Sequence, residues 1–295
     1  MKGYKGFNPG LECRGKQYAE NTIYEEERAT ICKRGMHFCE NPFDVLDYYD
    51  LVRSDGSFND FAEVEALADT DTDDNKKYCT TKLKVGAKLS IAGFIKACVD
   101  FVIEKTKFSK EESDTCSSGN SAKIGSSGDY AQIGSSGDYA QIGSSGYSAK
   151  IGSSGNYAQI GSSGDYAKIG SSGNYAQIGS SGDSAQIGSS GDYAKIGSSG
   201  NSAKIGSSGN SAQIGSSGDY AQIASEGKYA VVCCAGNGSV AKAKKGSWIT
   251  LSEWEYNDKE KAYIPVCVKT RKVDGKKIKE NVLYKLENGK FVETE

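Results

Sequence analysis

A chain of 295 residues with 36 basic and 38 acidic side chains has a formal net charge of −2. That balance argues against a strongly basic nucleic-acid binder and against a strongly acidic mimic of a duplex. A single histidine excludes chemistry that needs several, and nine cysteines are a high but odd count.

The opening "MKGYKGFNPGLECRGKQ" has no apolar h-region and does not read as a signal peptide. No apolar run approaches the length of a membrane span. These features predict a cytoplasmic protein with reduced thiols, most of them small buried hydrophobes. Residues 1–112 read as a small α+β module. "FAEVEALAD" and "TTKLKVGAKLSI" have strand character. "NPFDVLDYYDLV" offers Asn41 as a helix N-cap and Pro42 at the first helical position, with Phe43, Val45, Leu46, Tyr49 and Leu51 loosely on one face. In "GFIKACVDFVIEKTKF" the residues Ile95, Cys98, Val99, Val102 and Ile103 fall at helical spacing. They predict an amphipathic helix over 93–108, placed to cover the first raw strand edge of the repeat array downstream.

Residues 113–245 hold a nonapeptide, Gly-Ser-Ser-Gly-(Asp/Asn)-(Tyr/Ser)-Ala-(Gln/Lys)-Ile. Its alanine recurs from Ala122 to Ala230 in thirteen copies. Such a period predicts a parallel β-solenoid, a mainly β fold. Strand alternation turns Ala131 and Ile133 inward and Tyr130 and Gln132 outward. The Gly-Ser-Ser-Gly block reads as the corner, with glycine supplying unusual backbone angles and serine hydroxyls satisfying turn amides. Two units per coil give two sheets back to back and about six and a half coils, roughly 30 Å long. A coil of three units and a disordered Gly/Ser spacer are the alternatives.

With two units per coil, Tyr139, Tyr157, Tyr175 and Tyr193 stack as an unbroken ladder, the first candidate for partner binding. Stacking for its own sake, to stabilise neighbouring rungs, is the competing account. The opposite face is charged and mixed, with Asp129, Lys150, Asp165, Tyr166, Lys168 and Asp183 as a secondary candidate surface. "AVVCCAGNGSVAKAKKGSW" breaks the period. Residues 246–295 then read as a β meander that covers the far edge, with "DGKK" and "ENGK" as turns.

Several chemistries are not supported. Calcium rolls need an apolar residue where this repeat has glutamine. Ice binders show flat threonine arrays. The first twelve copies carry six aspartates and five lysines, too balanced for duplex mimicry. Cys32, His37 and Cys39, with Cys13 as a fourth ligand, match no standard zinc spacing, and no metal or cofactor is expected. The acidic run at 69–75 reads as a solvated loop. Arg14, the segment 35–38, Glu63 and Glu65 loosely resemble elements of ADP-ribosyltransferase folds, but the usual Ser-Thr-Ser strand is absent.

The opening "KGYKGFNPGLECRGKQY", the block "GMHFCENPFDVLDYYD", the central repeats and the closing "VDGKKIKENVLYKLENGKFVE" together resemble an uncharacterised family of bacteriophages, prophages and gut bacteria. The resemblance implies a phage or mobile-element origin and assigns no residue a role. It leads to the expectation of a non-enzymatic protein that engages a host protein or complex through a rigid solenoid face. A host defence complex, such as a CRISPR effector or a nuclease, is the expected target. A virion, tail or adhesin-like spacer and a degenerate transferase are the alternatives. Direct nucleic-acid and membrane binding are not expected, and a homo-oligomer is left open.

Overall fold

The computed structural model describes the chain apart from residues 32, 54, 109–114 and 295, with the backbone alone at 106–108. In the first eleven repeats the strand is the run (Gln/Lys)-Ile-Gly-Ser, as in Gln159–Ser162 and Lys168–Ser171; in the twelfth it is Gln-Ile-Ala-Ser and in the thirteenth Val-Val-Cys-Cys. Residues eighteen apart pair in parallel register, for example Ile160 with Ile178 and Ile169 with Ile187. Two repeats therefore make one coil, and successive repeats alternate between two sheets.

Each sheet has eight parallel rungs, more than thirteen repeats can supply. The additional rungs are non-consensus: Thr115–Ser117 at the start, then Val240–Lys242 and Trp248–Asn257. The segment after Ala230, where the period breaks, does not leave the solenoid but completes it. Val232, Cys234, Ala241 and Ile249 keep apolar groups at the inward positions, so the coil continues without the repeat letters. Nor is the C-terminus one meander. Ala262–Lys272 pairs with the last rung of one sheet, while the hairpin Tyr284–Glu287 and Lys290–Glu293 extends the other. Both far edges are thus continued by antiparallel strands.

Alanine, isoleucine and the first serine of each repeat point inward, and the alanines from Ala131 onward are fully buried. Removing these apolar side chains from water is the main stabilising term. The row of buried serine hydroxyls, Ser153 and Ser171 among them, makes no hydrogen bond among the described residues. The turn amides are served by another group. Asn156 Oδ1 accepts from Asn174 N at 2.9 Å, Asn174 Oδ1 from Asp192 N at 2.8 Å, and Asp192 Oδ1 from Asn210 N at 2.7 Å. The turn amide is met by one side-chain oxygen, which Asp and Asn both carry, so the two interchange at the position.

The corner glycines do not take the unusual backbone angles. Those belong to the next residue but one: Tyr157, Tyr175 and Ser184 have φ of 57°, 57° and 56°. The fourth residue of Gly-Ser-Ser-Gly is glycine because adjacent rungs touch there. A methyl on Gly173 would lie 1.9 Å from the carbonyl oxygen of Gly155.

The N-terminal module is a seven-stranded antiparallel sheet in the order Thr22–Glu25, Lys82–Leu89, Asp60–Ala66, Lys2–Phe7, Met36–Cys39, Lys77–Thr80, Thr70–Thr72. The expected helix after Asn41 is a single turn, Pro42–Val45 (α1), capped by Asn41 Oδ1 accepting from Phe43 N at 3.0 Å. The long helix is Ile91–Phe108 (α2). It does not cap the first rung. It lies across the outer face of one solenoid sheet, where Ile95, Val99 and Val102 settle on glycines. A methyl on Gly170 would reach Val99 Cγ2 at 3.3 Å, and one on Gly188 would reach Ile95 at 3.0 Å. The first strand of the other sheet, Lys123–Ser126, stays at an edge, where its lysine discourages further pairing.

Candidate binding surface on the solenoid

Docking of the N-terminal module makes the two sheets unequal. The covered sheet contains the rungs Gln132–Ser135, Lys150–Ser153, Lys168–Ser171, Gln186–Ser189 and Lys204–Ser207. Lys150 Nζ lies 2.5 Å from Asp44, Lys168 Nζ is 2.5 Å from Asp47 and also donates to Phe43 O, and Lys204 pairs with Asp50. Gln186 donates to Leu46 O and accepts from Leu51 N, both at 3.3 Å. Aspartates three residues apart thus climb the rungs of the solenoid.

The secondary candidate surface is therefore not a free charged face. Lys150 and Lys168 are taken up inside the molecule. Asp129, Asp165 and Asp183 sit at the corner: Asp129 Oδ1 accepts from Tyr147 N, Asp165 Oδ1 from Asp183 N, and Asp183 Oδ1 from Asn201 N. Tyr147 stands where a corner Asp or Asn belongs and fills the gap left by Ser148. Its ring packs between Tyr130 (5.9 Å) and Tyr166 (5.3 Å). Tyr166 and Lys168 line a cleft between module and solenoid.

The other sheet is bare. Its outward residues form long rows. One is Lys123, Gln141, Gln159, Gln177, Lys195 and Gln213; beside it runs a strip of glycines, where a methyl on Gly143, Gly161, Gly179, Gly197 or Gly215 would meet nothing within 4 Å. Together they floor a shallow trough of about 1100 Å³. Along the corner Tyr139, Tyr157, Tyr175 and Tyr193 stack with centroids 4.9 Å apart and rings within 5° of parallel. These rings are 42–56% exposed. The glutamine row ends in Val231 and Trp248, 49% and 45% exposed. Val231 stands at the Gln/Lys position of the thirteenth copy but departs from its letters, and Trp248 lies beyond the repeats, so only the continuation of the solenoid brings Trp248 into register with the row.

The scattered residues of the transferase resemblance do not converge. Arg14 and His37 line one cavity of the N-terminal module, Glu63 and Glu65 another. Cys32, one of the weighed zinc ligands, lies outside the described residues. Among the described residues no group of three or more His, Cys, Asp or Glu is placed to hold a metal ion. Burial pushes the Cys39 thiol up to about 12. The acidic run is not wholly a loop: it supplies the edge strand Thr70–Thr72 and the turn into Lys77–Thr80, where Asp74 accepts from the amides of Lys76 and Lys77. Among the described residues no helix is long and apolar enough to cross a membrane.

Residues 1–97 match the model of a family described as a domain of unknown function, DUF7666. No curated protein and no solved structure matches the chain.

Proposed function

We propose that the chain is a non-enzymatic binding protein that offers its bare sheet, with the tyrosine ladder alongside, to a helical segment of a partner protein. The observation that carries this reading is the way the chain covers its own other sheet. Both faces are written in the same nine letters, and on one of them an amphipathic helix lays Ile95 and Val99 along the glycine strip. A near-duplicate surface is suited to the same kind of occupant, an apolar stripe at helical spacing.

Charge narrows the partner. The covered face carries Lys150, Lys168 and Lys204, each met by an aspartate. The bare face has lysine only at Lys123 and Lys195, with glutamines between and beyond. A fitting helix therefore has few acidic groups, and its polar side chains answer amides rather than cations. The exposed Trp248 and the stacked tyrosines supply rigid aromatic area of the kind that dominates interface energies. The phage-type layout of the sequence favours a partner in a bacterial host, and a host defence complex is the target this reading favours.

The test is capture from a bacterial lysate by the wild type beside a variant with Tyr139, Tyr157, Tyr175 and Tyr193 all changed to Ser. Serine occupies the same left-handed position at Ser184 and Ser202, so the fold tolerates it. Loss of a captured protein at an unchanged melting temperature is expected. Equal capture by both would remove the tyrosines from the binding surface.

A further inference from the structure

The N-terminal module contains a second feature, independent of the solenoid face. A cavity of about 300 Å³ opens beside the strand Lys2–Phe7, at the small end of the range for organic ligands. On its floor lies Lys5, only 5% exposed. Its ammonium donates to His37 O at 2.8 Å and to Cys13 Sγ at 3.5 Å, and sits 5.3 Å and 5.6 Å from the rings of Phe7 and Tyr18. Tyr49 Oη donates to the same sulfur at 3.0 Å.

Around the mouth stand Arg14, Lys33 and Arg34, all exposed. Among the described residues no carboxylate pairs with Lys5 or with any of these three. Glu26, the acidic residue on the wall, is already engaged by Lys16 at 2.8 Å and by the amide of Gly35 at 3.2 Å. A buried cation without a counter-charge is costly, and burial holds Lys5 below its ordinary range. Burial and then the positive charges of Lys5, Lys77 and Arg14 hold His37 low as well.

The rim is held in place at a cost in backbone freedom. Arg14 and Gly15 form the two-residue turn between Glu12–Cys13 and Lys16–Gln17, with φ of 52° and 77°. Left-handed backbone in an arginine is unfavourable and tends to persist where a site needs the side chain aimed. Glu12 braces the turn by accepting from the amide of Gly15 and from Asn8 Nδ2.

We infer that this cavity is a binding site for a small phosphate-bearing anion, seated over Lys5 and clasped by Arg14 and Arg34. Guanidinium groups match the oxygen pairs of phosphate. The aromatic wall of Tyr18 and Tyr49 leaves room for an organic portion.

The experiment is calorimetric titration of the full chain with pyrophosphate, ADP, adenosine and citrate. Variants Arg14→Asn and Arg34→Gln run beside the wild type; asparagine suits the left-handed position. Saturable binding of pyrophosphate and ADP is expected, with none of adenosine. Each variant is expected to weaken binding about tenfold at an unchanged melting temperature, the loss of one charge-assisted contact. No binding of either phosphate probe would overturn the assignment. Citrate binding as tightly as pyrophosphate would overturn the choice of phosphate. Variants that bind as the wild type does would place the anion elsewhere.

Discussion

Gly173→Ala is expected to cost about 3 kcal/mol, the upper end of what overpacking does. The added methyl would stand 1.9 Å from the carbonyl oxygen of Gly155, a backbone atom that cannot rotate away. The rungs would have to part at that corner. Parting them stretches the bond from Tyr157 N to Asn174 O, 2.9 Å long, and the Asn156 to Asn174 bond beside it. Because each coil leans only on its neighbours, the damage should open the solenoid at the middle. Gly179→Ala is the control. It lies six residues away on the bare strip, where a methyl meets nothing within 4 Å, and is expected to change stability by less than about 0.5 kcal/mol. Thermal melting of the two variants beside the wild type checks the pair. Equal destabilisation would mean that the corner contact is not what requires glycine.

Asp44→Ala is expected to cost about 3–5 kcal/mol, the effect of stripping one partner from a buried ion pair. The Asp44 side chain is 6% exposed and that of Lys150 12%. The alanine leaves the Lys150 ammonium enclosed without its carboxylate. The loss should fall on the joint between module and solenoid, so hydrogen exchange should rise along α2 and in Lys150–Ser153 while the distant rungs stay protected. Gln132 on the neighbouring rung and Gln186 two rungs on fill the equivalent position, so Lys150→Gln is a natural replacement there. The double variant Asp44→Asn with Lys150→Gln should recover most of the loss. A double variant no better than the worse single one would show that the pair does not act as a unit.

The solenoid was legible because its physics is periodic. An inward Ala and Ile every nine residues calls for stacked walls, and with two repeats to a coil the tyrosines eighteen apart have to stack. The corner was less legible. Positive φ in tyrosine runs against the preference of any residue with a β-carbon, so glycine was the natural guess. What the glycines supply is close approach, which depends on the next coil and not on local preference. The end of the solenoid was hidden for the opposite reason: Val232, Cys234 and Ala241 serve the core as well as the repeat letters do, so loss of the pattern did not mean loss of the fold.

The candidate surface was half legible. The tyrosine ladder could be named from spacing alone. Which face is covered could not, because the repeats on both sides are nearly the same. The signal was nonetheless in the chain, as Asp44, Asp47 and Asp50 at three-residue spacing against Lys150, Lys168 and Lys204. Read as a helix, "NPFDVLDYYDLV" steps those aspartates about 60° apart around the axis; as one turn, Pro42–Val45, leading into a climbing loop, it sets each beside a lysine of its own rung. The glycines of Lys2–Phe7 hid that strand in the same way. A methyl on Gly3 would meet Cys39 O at 2.5 Å and the Phe38 ring at 2.6 Å, and one on Gly6 would meet Tyr49 at 2.7 Å, a need for close approach that strand propensity does not register.

The central claim is that the bare sheet is the surface the protein uses. It is tested most directly by placing arginine on the glycine strip two rungs apart, as Gly161→Arg with Gly197→Arg, and measuring capture of a host protein. Cross-linking then identifies the partner segment in contact. Both positions face open space, so melting temperature and the circular dichroism spectrum should match those of the wild type. The account predicts that capture is lost and that the wild-type cross-links map to a helix of the partner. A partner held as strongly by the double variant would contradict it and move binding to the N-terminal module or the solenoid ends.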